Sequence, residues 1–174
     1  MPGIDFAAEL PLALDLGCGN GVFLSGLASA RPDWNVLGIE KKDYRVRQAR
    51  RRIAALPNAR VVHGDVSEVL RRLRPGSVAA AYLLFSDPWP KRRHAARRLV
   101  RPGLTRLLDA CLQPGGIFHF ASDAAEYAGS AQEIFRVAGW RILPWDVPVD
   151  RPLTEFEQRF LSAGLNIWRF QATR

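Results

Sequence analysis

Cysteine and histidine are scarce in this 174-residue chain, which contains two cysteines and three histidines. Cys18 and Cys111 lie in unrelated sequence contexts without metal-ligand spacing, so we expect neither a disulfide framework nor a zinc site. Three scattered histidines suit a reaction that needs no strong general base. The sequence therefore predicts a functional site without a bound metal.

Long apolar runs are also missing. No run approaches the roughly 20 residues of a membrane span, and no basic leader precedes an apolar core at the N-terminus. We therefore expect a cytoplasmic protein without a signal peptide or membrane anchor. Because 48% of the residues are hydrophobic, we expect one globular domain over residues 1–174, in which 1–11 form a short N-terminal segment.

Acidic residues are outnumbered, since 25 lysines and arginines against 17 aspartates and glutamates give a net charge of +8. This balance favours an anionic partner, with nucleic acid ahead of a membrane surface because no amphipathic anchor stands out. Arginine-rich coding bias is an alternative source of the excess, since only three basic residues are lysine. Their distribution is more informative, because they cluster at 45–52 and 91–101.

Short apolar segments that end at glycine, proline or an acid alternate with helical patterns along the chain. We expect strands at residues 12–16, 35–39, 60–63, 78–85, 117–121, 140–143 and 165–172. We expect helices at residues 22–30, 43–56, 66–73, 97–112 and 124–138, and a short one that opens at Thr154. This alternation predicts an α/β fold with a doubly wound, mostly parallel seven-stranded sheet, helices on both faces and an antiparallel edge strand.

The turn between the first strand and the first helix has glycine at Gly17, Gly19 and Gly21. Glycine lets the backbone turn sharply and approach a ligand closely. A dinucleotide fingerprint would have its third glycine at Val22, so the spacing argues against a nicotinamide or flavin cofactor and favours an adenosyl ligand without phosphates. Glu40 ends the second strand, where an acid can accept both hydrogen bonds of a ribose diol.

Other acids at strand or helix ends allow two interpretations. Asp65 either caps the following helix or accepts a hydrogen bond from an adenine amino group, and Asp123 can likewise be a simple helix cap. Thr154 and Glu157 match a capping box. For each of them the structural interpretation stays open beside the functional one.

The most unusual stretch runs from Leu83 to His94 and reads LLFSDPWPKRRH. Pro88 and Pro90 fix their own φ angles and keep the preceding residues extended. We therefore expect Asp87 on a stiff turn at the carboxyl end of the fourth strand, where ligands bind in open α/β sheets. An acid beside the basic cluster favours chemistry on a polyanion, while the alternative is a proline-rich loop followed by a solvated basic helix.

These motifs resemble a known family. The glycine turn, together with Gly38-Ile39-Glu40, is similar to the cofactor half of a class I S-adenosylmethionine-dependent methyltransferase. The stretch 85–94 with Arg97-Arg98-Leu99, Ser122-Asp123 and Thr154 to Glu157 resembles the tRNA (guanine-N7)-methyltransferase family. Asp15 stands where that family usually has glutamate, Ser122 replaces the more usual threonine, and the N-terminal extension and the region 127–154 are short.

The resemblance implies a Rossmann-like class I methyltransferase fold, S-adenosylmethionine as cofactor, and methylation of a tRNA guanine at N7 in the variable loop, position 46. It implies that Asp87 is the catalytic acid. The implied cofactor contacts are Asp15, Gly17, Gly19, Asn20, Gly21, Glu40, Asp65 and Asp87. The implied substrate contacts are Lys91, Asp123, Thr154, Glu155, Phe156 and Glu157. The implied RNA contacts are Arg92, Arg93, His94, Arg97 and Arg98.

Guanine N7 carries a free lone pair, so its methylation requires no prior deprotonation. Our hypothesis is that Asp87 and Asp123 accept hydrogen bonds from the guanine N1–H and amino group. One alternative is a methyltransferase of the same fold that acts on another RNA, a protein or a small molecule. Another is a non-catalytic RNA-binding module of this fold. The sequence leaves a monomer and a homodimer equally open.

Overall fold

The computed structural model describes residues 5–6, 9–145 and 151–174, with the side chains of Arg92 and Ala95 excepted. The strands are β1 (Leu12–Leu16), β2 (Asn35–Glu40), β3 (Ala59–His63), β4 (Val78–Leu84), β5 (Leu112–Ser122), β6 (Arg141–Leu143) and β7 (Trp168–Thr173). The α-helices are α1 (Val22–Ala30), α2 (Asp43–Arg52), α3 (Val66–Leu70), α4 (Pro102–Cys111), α5 (Ala125–Val137) and α6 (Glu155–Ser162). A 3₁₀ helix, Arg92–Arg97, lies between β4 and α4.

The seven strands form one sheet in the order β3-β2-β1-β4-β5-β7-β6. Strands β1 to β5 pair in parallel, whereas β7 is antiparallel to both of its neighbours. The predicted doubly wound sheet is confirmed, and its order reverses between β1 and β4. The antiparallel strand lies one position inside the edge, because β6 pairs on the outer side of β7.

Two apolar clusters cover the two faces of the sheet. One joins β-strand side chains to α3, α4 and α5, with Phe118, Phe120 and Tyr127 fully buried in it. The other joins the sheet to α1 and α2 through residues such as Leu24 and Val46. Helices on both faces therefore bury the sheet, which explains the continuous apolar pattern of its central strands.

Several predicted boundaries differ from the structure. Helix α4 begins at Pro102 rather than at residue 97, because proline lacks the N–H that an interior helical position needs and favours the first helical position. Strand β5 begins at Leu112 rather than at residue 117, and an irregularity inside it moves the register with β4 from Leu112 to Ile117. Helix α2 ends at Arg52 rather than at residue 56, α3 ends at residue 70 rather than 73, and β7 begins at residue 168 rather than 165.

None of the helices in the described part of the chain combines the length and the apolarity that crossing a membrane requires.

Candidate active site

Two adjoining clefts lie at the carboxyl ends of β1, β2 and β4, next to the point where the strand order reverses. The first cleft, of about 360 Å³, lies between the turn Gly17–Gly21, Asp15 and the start of α6. The second, of about 250 Å³, lies between Glu40, Asp65 and the segment 85–89. Both clefts are lined by Gly17, Arg45 and Phe85. This is the position at which open α/β sheets bind ligands.

The turn Gly17–Gly21, which we call the glycine turn, needs its glycines for conformation and for space. Gly17, Gly19 and Gly21 have φ angles of 80°, 55° and 80°, in the left-handed region that other residues rarely adopt. A Cβ at Gly21 would lie 2.8 Å from the Cβ of Ala49 in α2. The tight approach of α2 therefore explains the glycine that precedes α1.

Glu40 ties the end of β2 to the glycine turn. The backbone N–H of Gly19 donates to its Oε2 at 3.1 Å, and the N–H of Lys42 donates to its Oε1 at 2.8 Å. The side chain is 6% exposed and lines the second cleft. A carboxylate offers about four acceptor positions, so Glu40 retains acceptor capacity toward a ligand.

Asp15 is buried without a full set of partners. Its side chain is 4% exposed and lines the first cleft. Among residues 5–6, 9–145 and 151–174, no group forms a hydrogen bond with its Oδ2. Burial and the nearby charge of Glu40 raise the pKa of Asp15 from 3.8 to about 7, although Arg151 opposes the shift. A buried acid of this kind suits a cationic ligand in the cleft.

The segment after β4 forms a turn, but Trp89, which precedes Pro90, is left-handed rather than extended as predicted. The carboxylate of Asp87 is exposed and accepts a hydrogen bond from the Trp89 N–H at 3.1 Å. Phe85 and Trp89, on either side, have φ angles of 52° and 43°. Residues held in this region are strained, and such strain clusters at functional sites. The prolines alone gave no sign of it.

Phe85 also connects the turn to α6. Its ring stacks on Phe156 and on Phe160, with centroids 5.7 Å apart in each pair. Phe156, Glu155 and Thr154 line the first cleft. The structure thus places three of the four predicted substrate contacts from α6 and its N-cap at the cleft.

The predicted contact of Glu157 with substrate stays a prediction, and the structure gives this completely buried side chain another role. Arg151 pairs with both of its carboxylate oxygens at 2.8 and 2.9 Å, and Arg169 donates to it at 3.3 Å. Burial alone would raise the pKa of Glu157, but hydrogen bonds from Arg151 and the Thr154 N–H, with the charges of Arg151 and Arg169, hold it below its ordinary value. The capping box with Thr154 is confirmed.

The predicted contact of Arg98 with RNA also stays a prediction, and the structure shows this side chain in other contacts. Its guanidinium is buried and donates five hydrogen bonds, to the carbonyl oxygens of Pro88 and Trp89, to both carboxylate oxygens of Glu126 and to Ser130. No N–H of the guanidinium is then left for a phosphate.

The other predicted RNA and substrate contacts lie at the surface. Arg97 is exposed, and its guanidinium lies 4.9 Å from the centroid of the Trp89 ring. His94 meets the same ring edge-on at 5.6 Å. Lys91 and Arg93 are exposed on or beside the 3₁₀ helix. Arg92 belongs to that helix, and its side chain lies outside the described part of the structure.

The two open helix-cap interpretations have different outcomes. Asp65 caps α3, since its Oδ1 accepts from the Ser67 N–H at 2.8 Å, while it also lines the second cleft. Asp123 is exposed, and α5 has no side-chain cap as far as the chain is described. Instead, the hydroxyl of Ser122 accepts from the Ala124 N–H at 3.1 Å. The carboxylate of Asp123 is therefore not used as a cap.

Two arginines near the clefts were not predicted as site residues from the sequence. Arg45 lines both clefts, although α2 carries so many arginines that its outer face reads as solvated. Arg151 lies against the rings of Phe23 and Trp145, at 5.1 and 4.7 Å, and its charge acts on Asp15. Its place in an irregular, proline-containing segment carried no signal that could have found it.

Several solved structures have the same fold. A precorrin-6y C5,15-methyltransferase from Geobacter metallireducens superposes with a TM-score of 0.67 at 14% identity, covering 95% of this chain and 82% of that one. The fibrillarin pre-rRNA processing protein of Methanococcus jannaschii gives a TM-score of 0.66 at 18% identity, covering 95% and 66%. At these identities the likeness establishes the fold alone.

Sequence relatives identify the family. A family model described as "Putative methyltransferase" matches residues 9–170. A tRNA (guanine-N(7)-)-methyltransferase from Nitrosococcus oceani is 38% identical over 174 residues, and the match covers 97% of this chain and 74% of the relative. A relative of the same name from Leuconostoc mesenteroides is 32% identical, with coverage of 96% and 83%. The chain therefore belongs to the tRNA (guanine-N7)-methyltransferase family.

Proposed function

We propose that this chain transfers the methyl group of S-adenosylmethionine to N7 of a guanine in tRNA, at the variable-loop position 46 that the motifs suggest. The observation that carries the proposal is the proximity of three features at one edge of the sheet. These are the acid-lined clefts, the strained turn with Asp87, and the exposed basic residues of the 3₁₀ helix. We place the enzyme in the cytoplasm and treat residues 1–174 as one domain.

The residues of the clefts fit the proposed cofactor. Glu40 has acceptor positions left for a ribose diol, and Asp65, beside it in the second cleft, can accept from an adenine amino group. The glycine turn, with Asn20 exposed to the first cleft, offers backbone to which a ligand can approach closely. The unpaired oxygen of Asp15 suits the positive charge of the amino-acid moiety. When bound, S-adenosylmethionine supplies an electrophilic methyl group on a cationic sulfur.

Asp87 and Asp123 are the acids that we assign to the guanine. Both carboxylates are exposed, and Asp87 uses one oxygen for the Trp89 N–H. We assign their free oxygens to the N1–H and amino group of guanine. Methylation at N7 makes those donors more acidic, so their hydrogen bonds strengthen toward the transition state and lower its free energy selectively. Positioning of N7 supplies the other part of the rate enhancement.

The exposed basic residues are assigned to the RNA backbone. Lys91, Arg93 and Arg97 can contact phosphates, which orient a nucleic acid without reading its sequence. Trp89 and Phe156 offer aromatic faces beside the clefts for a base that leaves its stack. This exposed charge argues against a small-molecule substrate, and the acid-lined clefts argue against a module that only binds RNA.

The test uses a tRNA in which 7-deazaguanine replaces the guanine at position 46, so that only N7 becomes a carbon. We expect this tRNA to bind normally and to accept no labelled methyl group, whereas the unmodified tRNA is methylated. Asp87→Ala should lower turnover on unmodified tRNA by several orders of magnitude while the protein stays folded. Methylation of the deaza nucleotide, or of any pyrimidine, would contradict the assignment of the target atom.

A further inference from the structure

The Asp87 side chain makes few contacts that would fix the position of its carboxylate. It is exposed, and its hydrogen bond to the Trp89 N–H links it only to the same turn. The backbone on either side has left-handed φ angles at Phe85 and Trp89. Such a conformation persists only where surrounding contacts hold it. The position of this carboxylate therefore depends on what holds the turn from outside.

Arg98 holds the turn from the side that follows Asp87. Its Nε donates to the carbonyl oxygen of Pro88 at 2.8 Å, and its Nη2 donates to that of Trp89 at 3.4 Å. On its other edge, the guanidinium donates to Glu126, in the first turn of α5, with Nη2 at 2.5 Å and Nη1 at 3.1 Å from the carboxylate oxygens. The side chain of Arg98 is 9% exposed. The guanidinium is thus a buried link between two carbonyls of the turn and α5.

The next residue of α5 holds the turn from the other side. The hydroxyl of Tyr127 lies 3.3 Å from the hydroxyl of Ser86 and accepts from the Val100 N–H at 3.3 Å. The guanidinium of Arg98 lies 5.2 Å from the centroid of the Tyr127 ring. One helical turn of α5 therefore fixes the backbone both before and after Asp87.

We propose that Arg98 is a positioning residue, which sets the place of the Asp87 carboxylate by linking the carbonyls of Pro88 and Trp89 to α5. This inference rests on the proposed function, because it assumes that Asp87 faces the substrate. The inference gives the adjacent residues Arg97 and Arg98 different roles. Arg97 points to solvent and is assigned to RNA, whereas Arg98 points inward and acts through the turn.

The experiment compares Arg98→Gln and Arg98→Lys with wild type in three measurements. These are single-turnover methyl transfer at saturating tRNA and cofactor, the affinity for tRNA, and amide hydrogen exchange of the segment 85–91 without ligands. For Arg98→Gln we expect a transfer rate roughly 100-fold lower, faster exchange of the segment, and tRNA affinity within about twofold of wild type. Arg98→Lys should give an intermediate rate and intermediate exchange, because the three donors of a lysine ammonium cannot replace the five hydrogen bonds of the guanidinium.

Arg174→Gln is the matched control. Arg174 also pairs with a carboxylate and a carbonyl, binding Asp109 at 2.5 and 2.8 Å and the Ala138 oxygen at 3.1 Å. Those groups lie at the amino ends of β5 and β6, away from the clefts. Its loss should leave methyl transfer and exchange of the segment unchanged. If Arg98→Gln does not fold, Glu126→Gln is tested instead. It keeps the guanidinium and removes the charge with which it pairs. The methyl-transfer rate and the exchange of the segment should change in the same direction as expected for Arg98→Gln.

Two results would overturn the proposal. A folded Arg98→Gln variant with a wild-type transfer rate would show that the turn needs no such link. A variant that loses tRNA affinity but keeps its rate at saturation would make Arg98 an RNA contact. If wild type itself transfers no methyl group to tRNA, the proposed function fails, and the exchange of the segment still decides whether Arg98 holds it.

Discussion

Glu157 should contribute to the stability of the fold rather than to substrate binding, and Glu157→Gln tests this. The substitution removes the negative charge from a fully buried side chain, with which Arg151 and Arg169, themselves 2% and 8% exposed, are paired. Breaking a buried ion pair on one side costs about 3–5 kcal/mol. In a chain of this size that corresponds to a decrease in Tm of about 6–20 °C.

Thermal and urea unfolding, followed by circular dichroism, measure the effect. Thr154→Ala is the control. It removes the helix cap, which costs about 1 kcal/mol of stability, and it leaves both ion pairs in place. The pKa of Glu157 is below its ordinary value of 4.5, so the ionised side chain stabilises the fold above pH 4.5. That contribution is lost as the pH falls through the lower folded pKa, and the difference between wild type and Glu157→Gln should shrink there.

A loss of stability no larger than that of Thr154→Ala would refute this reasoning. Cofactor and tRNA affinities, measured well below the Tm of the variant, should match those of wild type. Weaker tRNA binding by a folded Glu157→Gln variant would restore Glu157 as a substrate contact.

Three further predictions concern the clefts and the basic helix. Glu40→Ala should weaken cofactor binding by removing charge-assisted hydrogen bonds of about 1.5–3 kcal/mol each; an unchanged dissociation constant in titration calorimetry would exclude Glu40 from the site. The pKa of Asp15 is raised from 3.8 to about 7, so the cofactor-free fold should lose up to about 1.4 kcal/mol per pH unit as the pH rises through that interval. Asp15→Asn should flatten this dependence in urea unfolding, and an equal slope in both proteins would contradict the shift. Replacing Arg93 and Arg97 by glutamine should reduce the slope of log tRNA affinity against log salt by roughly one unit per lost phosphate contact, whereas an unchanged slope would make them a solvated surface.

Local pattern predicted most of the fold because each strand ends at a residue that stops it. Glycine after β1, Glu40 at the end of β2 and the proline segment after β4 all fall where the structure ends those strands. The insertion of β7 between β5 and β6 was not predictable in this way. Strand partners are chosen by contacts between distant segments, and a short amphipathic strand such as β6 carries no mark of its neighbour.

The site was predicted in position but only partly in role. Glu40 and Asp87 were found because an acid at the end of a buried strand is unusual. The burial of Arg98 was not predicted, because Arg98 follows a run of basic residues, which is normally exposed, and its burial depends on Glu126, 28 residues further along the chain. The role of Glu157 likewise depends on Arg169, which reaches it from β7. Burial of a charge is a property of the assembled fold, so local spacing cannot reveal it.

The environment of Cys18 determines whether its sulfur could be methylated by the methyl donor that binds beside it. Cys18 lies in the glycine turn, lines the first cleft and is 7% exposed. Burial, together with the nearby charges of Asp15 and Glu40, raises the pKa of its thiol far above the ordinary value. The thiol therefore stays protonated at neutral pH, and a protonated thiol is a poor nucleophile. A reagent that alkylates guanine would also alkylate a thiolate within reach, so burial of Cys18, reinforced by the two acids, protects the chain from methylating itself.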